Sequence, residues 1–248
     1  MGSVAAAARH FSSEVKIDIQ YSPGTNDWPV LRDAILRAED EGYDTTWVFD
    51  HFDGAMLQGD RPMLECFTLL GALAAATTTI GLGTLVANVA NRHPAVLAAA
   101  ASSVQRISDG RLTLGLGAGT SPNSKWSGEH AARGIELKPD IADRHAAVVE
   151  QIRWVRDLPE AIPVIVGVNS VRLATMAGRV ADGINVRLTN ERAAEFVRAA
   201  REAAGSRPFE ISGWTFEQVD DVREQALELA LDRLVLTRLG RVTSKSVT

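Results

Sequence analysis

From Val15 onward the chain alternates short β-branched runs with longer amphipathic stretches, a rhythm that a parallel sheet covered by helices satisfies. The spacing predicts strands at Val15 to Gln20, Thr45 to Phe49, Thr79 to Val86, Arg111 to Leu116, Ile162 to Val166, Gly183 to Val186, Phe209 to Gly213 and Asp232 to Leu236. Between them it predicts helices over Trp28 to Glu41, Met63 to Thr77, Ala95 to Ile107, Pro139 to Arg156, Ser170 to Val180, Glu191 to Ala204 and Phe216 to Ala230. Pro29 and Pro94 fall at first helical turns, where a missing N–H costs nothing, and Gly42, Gly110 and Gly205 follow helices as stops. About eight strand–helix pairs is the number that closes a (β/α)8 barrel.

The expected architecture is therefore α/β: one parallel (β/α)8 TIM barrel over residues 14–248, preceded by a loose arm over residues 1–13. No Pro-, Ser- or charge-rich linker interrupts the alternation to mark a second domain. The segment from Ala118 to Lys138 is too long for a routine connection and is where the pocket is expected.

Several functions are disfavoured by composition. A net charge of -5 argues against a broad nucleic-acid or anionic-membrane footprint, which leaves a small molecule as the expected partner. Cys66 stands alone, so a reducing, cytoplasmic setting is the natural reading, and apolar stretches such as Gly71 to Ala76 are too short to span a bilayer. The four lysines lie away from the C-terminal ends of predicted strands, which disfavours a Schiff-base aldolase. The five histidines are scattered with no cysteine pair, so no metal site is expected. Paired carboxylates for glycoside hydrolysis are not evident, and Glu217 is expected in the first turn of a helix instead.

Barrel enzymes carry their chemistry on the loops after strand C-termini, and several such ends stand out. Trp47 to Asp53 places Asp50 and His51 just past the second strand, where an imidazole could move a proton; a turn or capping pair would account for the same dipeptide. Thr79 to Asn88 has glycines inside a strand, consistent with a flat ring lying against it or with a barrel bend before a Pro-started helix, in which His93 packs or caps. Gly110 to Thr120 runs into a glycine-rich turn, yet no helix or acidic residue completes a dinucleotide fingerprint. Gly167-Val168-Asn169-Ser170 opens a helix where free N–H groups suit a phosphate, though capping by Asn169 or Ser170 explains it equally well.

In this order the motifs resemble the luciferase-like family of barrel oxidoreductases, which includes bacterial luciferase, flavin-dependent monooxygenases and enzymes using deazaflavin coenzyme F420. Trp47 to Phe52 is similar to the family's second-strand segment, Ile80 to Leu97 to its glycine strand with Arg-His-Pro, Ser108 to Gly119 to its Gly-x-Gly-Ala-Gly run, and Ile162 to Asn185 to its Pro-strand-Gly followed by Ala-Asp-Gly. The resemblance implies a tricyclic ring at a strand-end bulge around Thr84, Leu85 and Val86, with a non-proline cis peptide at Leu85-Val86. It implies Asn88, Gly117, Gly119, Thr120 and Asn123 along the ring or ribityl side, and Gly167, Val168, Asn169 and Ser170 near the phosphate. His51, oriented by Asp50 or by backbone, would hydrogen-bond the substrate or ring edge and move a proton.

Departures narrow the reading. Thr120 and Ala55 stand where deazaflavin sugar-phosphate dehydrogenases have an acid and a Trp, which disfavours that activity; Val168 replaces a common glycine; and Asp157 to Ile162 is short, so the lid region is trimmed. The resemblance favours hydride transfer with coenzyme F420. The alternatives are a flavin mononucleotide (FMN)-dependent monooxygenase and a non-catalytic flavin-binding barrel or partner subunit. Relatives imply a homodimer paired through barrel helices.

Overall fold

Eight parallel strands among the described residues close on themselves. A computed structural model of the chain describes residues 15–242 except 58, 60 and 61; the arm expected over Met1 to Ser13 lies outside the described residues. The strands are β1 (Lys16–Tyr21), β2 (Thr45–Val48), β3 (Gly81–Thr84), β4 (Leu112–Gly117), β5 (Val164–Gly167), β6 (Gly183–Arg187), β7 (Glu210–Thr215) and β8 (Arg233–Arg238). Each pairs with its successor, and β8 returns to β1 in a register running from Lys16 opposite Arg233 to Tyr21 opposite Arg238. The helices are α1 (Trp28–Asp40), α2 (Cys66–Ala76), α3 (Pro94–Ile107), α4 (Gly128–Ala131), α5 (Ile141–Arg156), α6 (Val171–Val180), α7 (Ala193–Ala204) and α8 (Val219–Glu228).

Helix ends follow the local chemistry. His93 caps α3 by accepting from the Ala95 N–H at 3.2 Å, with Pro94 behind it, and Ser170 caps α6 by accepting from Leu173 at 3.3 Å. Gly42, Gly110 and Gly205 have φ of 84°, 85° and 64°, a left-handed conformation that suits glycine after a helix. Elsewhere the boundaries shift. The third predicted strand is broken by a cis Leu85-Val86 peptide and resumes as a short extension, Ala87–Asn88, still paired with β4. Helix α2 begins only at Cys66, where the Glu65 carboxylate accepts from the Thr68 N–H at 2.7 Å. Helix α8 begins at Val219, so Glu217 precedes the first turn rather than lying in it.

Most of the core is aliphatic side chain between strands and helices, while a smaller cluster of Trp47, Leu85, Ile165 and Val235 fills the barrel itself. Trp47 fits because β3 offers Gly83 opposite it; a methyl group there would overlap the indole ring.

The N-terminal end of the barrel is sealed by carboxylates. Asp44, Asp182 and Asp232, each just before an even-numbered strand, accept the N–H of Ile17, Val164 and Ile211 in the preceding strand at 3.1, 2.7 and 2.7 Å. Glu39 of α1 accepts from Thr78, Thr79 and Ile80 at 2.8, 2.5 and 2.9 Å. Inside, Arg233 Nη1 donates to both oxygens of Asp18 at 2.8 Å and to the Thr45 hydroxyl, while Trp47 Nε1 donates to Asp18 at 2.7 Å. Burial pushes the Asp18 carboxyl up to about 7 even with the Arg233 guanidinium pulling the other way.

Candidate active site

At the opposite end, where the strand C-termini lie, a cavity of about 480 Å³ opens. Its wall is built from the end of β1 (Gln20), the turn after β2 (Phe49, Asp50, His51), the break in β3 (Leu85, Val86), the turn after β5 (Gly167, Val168, Asn169) and the ends of β6 and β7 (Asn185, Arg187, Trp214). Leu85 and Asn169, expected at opposite ends of one bound molecule, line this one space.

The break in β3 is held from below: Gln20 Nε2 donates to the Leu85 carbonyl at 3.0 Å, and Gln20 Oε1 accepts from Thr237 at 3.0 Å. Val86 projects beside two glycines. A Cβ at Gly117 or Gly167 would come within 2.5 or 2.9 Å of its methyl carbons, so side chains there would crowd the surface Val86 presents. Thr84 is buried beneath, its hydroxyl donating to the Gly115 carbonyl at 2.7 Å.

His51 does not rely on its neighbour for orientation. Asp50 is buried and its carboxylate is taken by Arg92, which donates to both oxygens at 2.7 and 2.8 Å, and by the Asn88 N–H at 2.9 Å. Arg92 in turn pairs with Glu65. The group that engages His51 is Glu129, from the four-residue helix α4: Oε1 lies 2.7 Å from His51 Nδ1, and Oε2 accepts from the Phe52 and Asp53 N–H groups at 2.7 and 3.2 Å. Burial works against the Glu129 charge, but His51 and the two backbone donors outweigh it and hold the carboxyl below its ordinary range. An ionised acceptor requires a proton on Nδ1, which leaves Nε2 as the ring atom available to a neighbour. The His51 side chain is 34% exposed and lines the cavity.

Not every expected residue faces this space. Asn88 is engaged with its own loop, accepting from the Ala90 N–H at 2.9 Å while its amide nitrogen lies 3.0 Å from the His130 ring. Gly119, at φ 68°, packs on Asn88. Thr120 lines a separate cavity of about 230 Å³ with Val89 and Leu137, and Asn123 lies on the exposed surface of the long segment. Ser170 spends its hydroxyl on the cap of α6. Arg92 entered from sequence only within the Arg-His-Pro run, and Glu129, Gln20, Arg187 and Trp214 were not singled out. Only Glu129 carried a hint, because it falls inside the segment from Ala118 to Lys138 where the pocket was expected. Among the described residues no group of His, Cys, Asp and Glu is placed to hold a metal, and no helix is long and apolar enough to cross a membrane.

A closed parallel barrel with a deep mouth, a broken third strand and a histidine held by a buried carboxylate defines a ligand-binding barrel of the enzyme type. Residues 10–243 match the family described as luciferase-like monooxygenase, and the chain belongs to that family. It is 24% identical to a 5,10-methylenetetrahydromethanopterin reductase of Archaeoglobus fulgidus over 87% of this chain and 68% of that protein. It is 28% identical to an F420-dependent glucose-6-phosphate dehydrogenase of Amycolatopsis mediterranei over 82% of this chain and 65% of that one. The chain thus spans about two thirds of the length of these relatives. Among solved structures, an F420-dependent secondary alcohol dehydrogenase in complex with an F420-acetone adduct superposes with a TM-score of 0.73 at 15% identity, covering 94% of this chain and 96% of that one.

Proposed function

We propose that the chain is an oxidoreductase that binds deazaflavin coenzyme F420 across the barrel mouth and acts on a small organic molecule beside it. The observation that carries this reading is the shared cavity: the Leu85-Val86 break, Gly167 beside Val86, His51 and the Asn169 turn all border one space of about 480 Å³. That volume falls within the usual range of roughly 300–1,000 Å³ for small-molecule and cofactor sites. The side-chain-free backbone of Gly167 beside Val86 suits a planar ring, and the turn from Gly167 to Ser170 at the start of α6 suits the tail phosphate. When bound, such a coenzyme supplies hydride chemistry. The chain's own contribution is to position the reacting molecule and to exchange a proton at His51 Nε2, with Glu129 fixing the ring by its grip on Nδ1. The F420 dependence of the Amycolatopsis mediterranei relative supports deazaflavin over flavin mononucleotide.

Fluorescence titration of the purified chain with coenzyme F420 and, separately, with FMN tests the reading. Saturable binding of F420 that is weakened by Gly167→Val is the expected outcome. Tighter binding of FMN, or of neither compound, overturns it.

A further inference from the structure

The charged side chains lining the mouth are not treated alike. Asp50 is neutralised by Arg92, and His51 faces Glu129. Arg187, at the C-terminal end of β6, has no carboxylate within ion-pair distance among the described residues. Its contacts are aromatic instead. The guanidinium carbon lies 5.0 Å from the centre of the Trp214 ring and 5.7 Å from that of Phe216, and the two rings meet edge to face at 5.1 Å.

Stacking uses the faces of a guanidinium and leaves its in-plane N–H donors free. The Arg187 side chain is exposed, packs against two rings and makes no hydrogen bond or ion pair with a described residue, so its N–H donors are open beside the cavity. Asn190, on the same wall, keeps its own carbonyl oxygen for the Arg192 N–H, so its amide nitrogen is left as a further donor. Among the described residues on the wall no acid remains to answer this charge, although the chain as a whole carries -5.

We propose that Arg187 is an anion-recognition residue of the mouth, and that the molecule lodged there presents a carboxylate or phosphate group to the Arg187 fork. The planar edge of the guanidinium matches either group through two parallel N–H donors. The inference rests on the reading that this mouth holds the reacting molecule. The anion belongs to that molecule or to the coenzyme tail, and the same measurement separates the two.

Isothermal titration of the full chain with phenyl phosphate, benzoate and the neutral benzyl alcohol tests it, first alone and then with saturating coenzyme F420. The wild-type chain is expected to prefer phenyl phosphate over benzyl alcohol by about tenfold or more, the worth of a charge-assisted hydrogen bond. Arg187→Gln should abolish the preference and Arg187→Lys should keep part of it. A preference that persists with F420 bound assigns the anion to the reacting molecule; one that vanishes assigns it to the tail; both put an anion on Arg187. Equal binding of phenyl phosphate by wild type and Arg187→Gln, or no preference in the wild type, overturns the proposal. Failure of F420 itself to bind, with the anion preference intact, would remove the coenzyme reading and leave this one standing.

Discussion

The two ends of the barrel handle charge in opposite ways. At the N-terminal end Asp18 and Arg233 satisfy each other, with Trp47, Thr45 and Glu210 taking up further donors and acceptors. At the C-terminal end the Arg187 side chain packs against aromatic rings and donates no hydrogen bond to a described residue, and His51 meets Glu129 through Nδ1 alone. The first arrangement is complete within the protein; the second leaves polar groups open at the cavity. Barrels of this kind can thus vary their mouths while the floor preserves the fold.

That contrast breaks most visibly at Arg233. Replacing it with Met leaves Asp18 buried without its counter-charge, and we expect a loss of about 3–5 kcal/mol in denaturant melts. Adding Asp18→Asn should recover much of it, because the cost lies in the stranded charge. In the same assay Arg187→Gln should shift stability by no more than about 0.5 kcal/mol. Equal destabilisation by both arginine variants would erase the distinction between floor and mouth.

Glu129 sharpens the comparison, since it is a buried carboxylate on the functional side. Glu129→Gln turns an amide NH2 toward donors that need an acceptor, at an expected cost of about 1–3 kcal/mol confined to the loop after β2. Hydrogen exchange should quicken at the Phe52 and Asp53 amides while those of β1 and β8 stay protected. Uniform exchange would show that this clamp is not local.

The smallest effect is expected at Glu39. Burial opposes its charge, but the backbone donors of Thr79, Ile80 and Thr78 hold the carboxyl down to about 2, against an ordinary value of 4.5. Because the folded-state value is depressed, the unfolded chain takes up the proton first. The stabilisation is therefore complete above pH 4.5 and is lost as pH falls toward about 2. Glu39→Gln should flatten that part of the stability–pH curve slightly, since solvent screens much of the interaction. An unchanged slope would show that the carboxylate does not support the floor.

Strand order and barrel closure were legible because alternation and helix punctuation are local signals. Pro94 and Gly110 mark their boundaries by steric rules that need no tertiary context. The cis Leu85-Val86 peptide came from the family resemblance, as nothing in the residues themselves announces it. The partners of Asp50 and His51 were not legible. Arg92 and Glu129 lie 42 and 78 residues away in the chain, and only barrel closure brings them to the second strand. Asn88, Thr120 and Asn123 were placed along the ring or ribityl side by the family resemblance; here Asn88 bonds within its own loop, Thr120 lines a separate cavity and Asn123 is exposed.

The grip of Glu129 has a mechanical consequence. One carboxylate on a single helical turn holds the imidazole and the next two backbone amides of a different loop, so these two stretches of chain are tethered as one body. A displacement of the helix that carries Glu129 would therefore act on the His51 ring and on the Phe52 and Asp53 amides together.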